Sequence, residues 1–131
     1  VADLSLTDRV EFTGWLSSTK IQNLTARNSL GVFPSRVESF GLSVVEAMGA
    51  GLPVIAASGG AVPENIEQGV TGTLVPVNDA DALARAIIFI LENVQHAESM
   101  AKAAKMVVQQ KFTWDKAANK MIDLYELHSD M

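Results

Sequence analysis

Short apolar segments alternate with helical patterns along this chain, and this alternation restricts its fold more than any other feature. Parallel strands need a long crossover between them, usually a helix, whereas antiparallel strands can be joined by a tight turn. The pattern is therefore typical of an α/β protein in which helices flank a parallel sheet. The predicted strands lie near residues 10–13, 30–34, 53–57 and 72–76.

The segments between and after these strands carry helical signals. Within residues 80–94, the apolar side chains of Leu83, Ile87 and Leu91 belong to a stripe with i, i+3 and i+4 spacing. Thr113 is a candidate N-cap for the last helix. At 131 residues the chain can bury one core but is short for two, so we predict a single domain over residues 1–131. The predicted helices lie near residues 18–28, 41–50, 62–68, 80–94, 97–111 and 113–128.

Two glutamates eight residues apart flank the start of the predicted helix 41–50: Glu38 precedes it and Glu46 lies one turn inside it. A helix N-terminus has unpaired backbone N–H groups and a partial positive charge, which favour an anion such as phosphate. Carboxylates beside that anion can accept hydrogen bonds from sugar or ribose hydroxyls. Gly41 lets the backbone approach a ligand closely. The pattern indicates a nucleotide-sugar pocket; the alternative is two solvated glutamates with no ligand.

The residues around these glutamates resemble the donor-binding core of the group 1 glycosyltransferases, which are retaining enzymes with the GT-B fold, related to glycogen and sucrose synthases. The resemblance covers roughly residues 7 to 115. Its most specific part is the pair of spaced glutamates with Phe40–Leu42 between them. The other matching segments are Arg9–Gly14, Pro34–Ser35, Glu46–Ile55, Gly59–Glu64, Gly69–Gly72 and Leu74–Pro76. The resemblance implies a Rossmann-like sheet that is part of the C-terminal GT-B domain.

The resemblance also implies a role for individual residues. Glu38, which we assign as the catalytic residue, matches a glutamate that contacts donor-sugar hydroxyls, and Glu46 matches one that holds the ribose. Phe40, Gly41 and Leu42 match a segment whose backbone amides reach the sugar and diphosphate. Two further donor-binding candidates, at a strand end near the nucleotide base, are Arg9 and Val10. The family needs neither a bound metal nor a cofactor here, and its donor is a nucleoside-diphosphate sugar used in carbohydrate biosynthesis.

The resemblance leaves parts of a complete enzyme without a counterpart. Family members bind the acceptor, which is unknown here, in a separate N-terminal domain, and they clamp the diphosphate with basic residues from the opening of the donor domain. We therefore expect a truncated donor-binding domain that is inactive alone. A doubly wound strand order would place two absent strands between strands 10–13 and 30–34. Either these strands pair directly, a second copy fills the gap through self-association, or the edge stays exposed.

Composition excludes several other classes of protein. A net charge of −5 argues against a nucleic-acid partner, because such proteins usually carry a basic face. There is no apolar run long enough to span a bilayer, and residues 1–5 do not resemble a signal peptide. The absence of cysteine excludes disulfides and is compatible with the cytoplasmic location that we expect.

Two alternative functions remain open at this point. The first is an isomerase similar to the nucleotide-sugar 2-epimerases. Such an enzyme would need loops that carry catalytic acids and a histidine, and we do not identify such loops in this sequence. The second is a non-catalytic module that binds a nucleotide or a partner protein, which the missing phosphate-binding residues favour.

Overall fold

The computed structural model describes residues 2–129 and contains a three-stranded parallel sheet. Its strands are β1 (Gly31–Phe33), β2 (Val54–Ala57) and β3 (Thr73–Val75), and they lie in the order β1-β2-β3. The helices are α1 (Ser18–Thr25), α2 (Leu42–Ala50), α3 (Val62–Asn65), α4 (Ala80–Glu92), α5 (Val94–Lys111) and α6 (Trp114–Ser129), with a short 3₁₀ helix at Ala2–Leu4.

The central strand β2 shows why this sequence forms an α/β fold. Its four residues are apolar and buried, as expected for a strand that is covered on both faces. Val54 and Ala56 pack in one cluster with Met48 of α2, whereas Ile55 packs in a second cluster with Ile90 of α4. Because successive strand side chains point to opposite faces, helices cover both sides of the sheet. The predicted fold class is confirmed.

Helix α5 contributes to both apolar clusters. Ala97 and Met100, near its start, pack with the cluster that contains Ile55, while Ala104 packs with the cluster that contains Met48. Only Asn93 separates α5 from α4, and its non-helical backbone (φ −116°, ψ 65°) ends one helix and begins the next. The small alanine side chains let α5 lie close against the rest of the core.

The prediction of a strand at residues 10–13 is wrong, because these residues have no regular secondary structure. Val10 is 40% exposed and Phe12 is 81% exposed. A strand is stable only when a neighbour supplies its hydrogen bonds, and no described strand lies beside this segment. Residues 10–13 do not pair with β1, which contradicts the first of the three outcomes expected for the sheet, and β1 forms an edge among the described residues.

Several helix boundaries differ from the predicted ones by a few residues. The helix predicted at 62–68 ends at Asn65, because Ile66 is extended (φ −118°, ψ 124°). The chain then makes a turn in which Gly69 has a left-handed backbone (φ 75°) and its N–H bonds to the carbonyl of Gly72. This turn leads directly into β3, so the local geometry leaves no room for the longer helix.

Candidate functional site

The start of α2 is the centre of the candidate site. Gly41 caps the helix with a left-handed backbone (φ 80°, ψ 44°), which a glycine adopts without steric cost. The carbonyl of Gly41 accepts hydrogen bonds from the N–H groups of Val44 and Val45, but no side chain caps the helix. The first N–H groups of α2 are therefore left for solvent or a ligand, as an anion site requires.

The loop that carries Glu38 is anchored to the start of α3. The carbonyl oxygen of Glu38 accepts a hydrogen bond from the N–H of Ala61 at 2.9 Å. The side-chain amide of Asn65 donates to the carbonyl oxygen of Phe40, and Asn65 itself is buried. Two backbone carbonyls on either side of Ser39 are thus fixed by partners more than twenty residues away in sequence, and this defines the path of the loop before α2.

Gly59 and Gly60 lie directly beneath this loop. A Cβ atom on Gly59 would fall 2.2 Å from the carbonyl oxygen of Arg36, and one on Gly60 would fall 2.1 Å from the carbonyl oxygen of Glu38. Neither distance is compatible with a side chain, so both glycines are required for the close contact between the two loops. The family resemblance suggests that Gly59 and Gly60 let the backbone approach the donor, and the pair alone is typical of a turn; neither interpretation identifies the Arg36–Glu38 backbone as the group that these glycines approach.

The two glutamates occupy the positions that the sequence predicts around α2. Glu38 lies in the loop before Gly41 and is half-buried. Glu46 lies on α2, is exposed, and lines two grooves that run along different sides of the helix. One groove lies between α1, β1 and α2 and also contains Ser43. The other lies between α2 and the junction of α5 with α6, and it also contains Phe40 and Leu42.

Phe40 and Leu42 present partly exposed side chains beside the helix start, at 43% and 60% exposure. The ring of Phe40 packs edge-on against Phe112 with the centroids 5.8 Å apart. The candidate residues Glu38, Phe40, Gly41, Leu42 and Glu46 are therefore all found at the start of α2 or in the loop before it.

The structure does not bring Arg9 and Val10 into this group. Both are exposed and lie in the irregular segment before α1, and neither lines the grooves that contain Glu46. The N–H of Arg9 bonds to the carbonyl of Leu6 in a local turn. Their predicted position at a strand end depended on the strand at residues 10–13, which does not form.

No cluster of three or more histidine or acidic side chains suited to holding a metal ion occurs among residues 2–129. Within the same residues, no helix combines the length and the apolar character that crossing a membrane requires.

Comparison with known proteins gives consistent matches. The family model described as "Glycosyl transferases group 1" matches residues 1–107. A D-inositol 3-phosphate glycosyltransferase of Streptomyces griseus is 36% identical over 124 residues, which are 95% of this chain and 26% of that protein. The chain therefore spans about a quarter of the length of this relative.

Solved structures match over nearly the whole chain. Anabaena HepE in complex with UDP has a TM-score of 0.90 at 31% identity, covering 95% of this chain and 34% of that one. Sucrose-phosphate synthase from Thermosynechococcus elongatus has a TM-score of 0.90 at 36% identity, covering 99% of this chain and 33% of the other. The predicted relation to one part of a GT-B glycosyltransferase is confirmed. By its sequence and by its fold, this chain belongs to the group 1 glycosyltransferases.

Proposed function

We propose that this chain is the donor-binding part of a retaining glycosyltransferase and that it binds a nucleoside-diphosphate sugar at the start of α2. The observation that carries the proposal is the helix start without a side-chain cap, with Glu38 on one side of Gly41 and Glu46 on the other. UDP bound to HepE, which has also been solved with UDP-glucose, supports this class of ligand.

Each part of the donor has a partner in this arrangement. The diphosphate would lie at the N–H groups of Leu42 and Ser43, where the helix dipole favours negative charge. Glu46, one turn further along α2, would accept hydrogen bonds from the ribose hydroxyls, and Glu38 from the hydroxyls of the sugar. The anchored Glu38–Gly41 loop would hold these groups in place without rearrangement on binding.

The same groups would promote departure of the diphosphate. Negative charge develops on the diphosphate as the bond to the sugar breaks, and fixed N–H donors at a helix start stabilise that charge. Glu38 would act by orienting the sugar. In a retaining transfer the acceptor would attack from the face that the diphosphate leaves, so no nucleophile from this chain is needed.

Because the chain spans about a third or less of these relatives, we propose that donor binding belongs to this chain and that sugar transfer belongs to a longer protein. The acceptor and its N-terminal domain would then lie outside residues 1–131. The isomerase alternative has no support in the structure, because His96 is on α5 with its ring against Phe89 and lies in no loop of the site.

Calorimetric titration tests the proposal. UDP, ADP, GDP and their sugar conjugates are titrated into the chain and into its Glu46→Ala and Glu92→Ala variants, where Glu92 is an exposed helical glutamate on α4. We expect one nucleotide to bind, and we expect Glu46→Ala to weaken its binding by roughly tenfold through the loss of hydrogen bonds to a charged acceptor. Equal effects of the two variants, or no binding of any nucleotide, would contradict donor binding by this chain.

A further inference from the structure

A second groove lies at the opposite end of the sheet from the candidate site. Ser29 and Pro53 line it shortly before β1 and β2 begin, whereas the loop that carries Glu38 follows the end of β1. Ligands of open α/β sheets bind beyond the carboxyl ends of the strands, so donor binding does not account for a groove at the amino ends. The end of α4 and one side of α5 form its other walls. We call this surface the amino-end groove.

Apolar and small side chains form the floor of the amino-end groove. Ile90, near the end of α4, is buried, and so are Ala97 and Ala101, one turn apart on α5. Gly51, directly after α2, adds no side chain, and the groove encloses about 550 Å³. This volume and lining are typical of small-molecule sites, which are mostly apolar and have a few polar groups that fix the ligand.

The two ends of the amino-end groove carry different chemistry. At the corner between α4 and α5, Leu91 and Val94 are 53% and 59% exposed. At the other end, Lys102 and Lys105 lie one turn apart on α5, and neither forms an ion pair with another described residue. Val94 and Lys105 lie on the same helix and are separated by about 16 Å along its axis. The groove therefore has an apolar end and a cationic end.

Glu98 restricts where an anion can lie in the amino-end groove. It lines the groove one turn from both Val94 and Lys102, and its carboxylate repels a second carboxylate. The stem of Lys105 lies against the end of α2, with its Cδ atom 3.5 Å from the position that a Cβ atom on Gly51 would take. The carbonyl groups at a helix end favour a cation there. An anionic group therefore fits best beside Lys102 and Lys105, away from Val94.

We infer that the amino-end groove binds a small anionic amphiphile, a carboxylate with an unbranched aliphatic chain. Its carboxylate lies between Lys102 and Lys105, and its chain follows the apolar floor. The chain ends at Leu91 and Val94. A small polar anion would leave that apolar end exposed to water, and an uncharged chain would leave both lysines unpaired. The site is separate from the start of α2, so the inference is independent of the proposed function.

Calorimetric titration with octanoate tests this inference, with octanol and acetate for comparison. Octanol has the aliphatic chain without the charge, and acetate has the charge without the long chain. We expect octanoate to bind more tightly than either, with an affinity that falls as salt rises, because salt screens the exposed lysines. Octanol or acetate binding as tightly as octanoate would overturn the inference, and so would the absence of octanoate binding.

Paired variants at each end of the groove locate the ligand. Lys102→Gln with Lys105→Gln removes both positive charges, and Leu91→Gln with Val94→Gln removes the apolar end. All four side chains are exposed, and circular dichroism checks that the fold is retained. We expect roughly tenfold weaker binding of octanoate in each variant, through lost charge-assisted contacts in the first and lost apolar contacts in the second.

Two matched control variants use exposed residues of α6, which does not line the amino-end groove. Lys116→Gln with Lys120→Gln removes two charges, and Met121→Gln with Ile122→Gln removes two half-exposed apolar side chains. We expect the affinity for octanoate to be unchanged in both. Weakening in a control as large as in the corresponding groove variant would show that octanoate associates without a specific site, and would overturn the inference.

Titration with UDP separates this inference from the proposed function. We expect UDP binding to be unchanged in the variant Lys102→Gln with Lys105→Gln, and we expect octanoate and UDP to bind without competition. Competition between them, or weaker UDP binding in that variant, would overturn the inference of a separate site. If octanoate binds as expected while no nucleotide binds, the proposed function fails and this inference stands.

Discussion

The left-handed backbone of Gly60 (φ 61°) places the turn after β2 against the carbonyl of Glu38. Any side chain at this position would collide with backbone atoms, which cannot move aside as a flexible side chain can. Gly69 has a similar backbone (φ 75°), but a Cβ atom there would meet nothing within 4 Å. Alanine at Gly69 therefore tests the backbone conformation alone, whereas alanine at Gly60 tests the backbone conformation and the collision together.

We predict that Gly69→Ala lowers the free energy of unfolding by about 1 kcal/mol, the usual cost of a left-handed alanine. We expect Gly60→Ala to lower the free energy of unfolding by about 1–3 kcal/mol more than Gly69→Ala does, because the Glu38 loop must shift to admit the methyl group. Urea unfolding of both variants measures the difference. Similar losses in the two variants would mean that the loop contact at Gly60 is not rigid.

At the residue scale, the sequence was sufficient to predict how the candidate residues are arranged around the start of α2 but not which contacts hold them there. The positions of Glu38, Gly41 and Glu46 relative to α2 follow from their places in the sequence once the start of the helix is known, and the structure has the helix start where it was predicted. Their roles in binding stay a prediction. The bond from Asn65 to Phe40 joins residues 25 apart, and the groove between α2 and the α5–α6 junction depends on how α6 follows α5. Such contacts leave no periodic signal in a single sequence.

At the element scale, the presence or absence of a neighbouring strand explains which of the predicted strands form. The segments that became β1, β2 and β3 have neighbouring strands within the chain, and the apolar residues of the central strand β2 are all buried between helices. Residues 10–13 alternate apolar and polar side chains, a pattern typical of a half-buried strand, but they have no neighbouring strand and stay irregular. A sequence pattern shows that a segment is suited to a strand; whether the strand forms depends on its partner.

We predict that substitutions in these two segments have very different effects on stability. Ile55→Ala in β2 removes a fully buried side chain, and we expect it to lower the free energy of unfolding by about 2–5 kcal/mol. Phe12→Ala removes a side chain that is 81% exposed, and we expect a change within about 0.5 kcal/mol. Thermal and urea unfolding give both values. A loss above about 2 kcal/mol for Phe12→Ala would show that residues 10–13 are packed after all.

At the scale of the whole molecule, β1 is an edge strand with no partner on its outer side among the described residues. An unpaired edge can bind another strand, and a lysine at such an edge discourages this. Val32, in the middle of β1, is partly exposed. We therefore predict that the isolated chain self-associates as its concentration rises and that Val32→Lys reduces this association.

Sedimentation velocity over a range of concentrations measures this association. The average mass of the unmodified chain should rise with concentration, while that of Val32→Lys should stay near the 14.0 kDa of one chain. Circular dichroism of the variant checks that its fold is retained. A mass of one chain for both proteins at every concentration would show that the exposed edge of β1 does not bind a second chain.

The claim that the start of α2 is the donor site is tested most directly by a crystal structure of the chain with UDP. We predict that the diphosphate oxygens lie about 3 Å from the N–H groups of Leu42 and Ser43, and that the ribose hydroxyls bond to the Glu46 carboxylate. A nucleotide bound elsewhere, such as in the groove lined by Lys102 and Lys105, with the start of α2 left to solvent, would contradict this account.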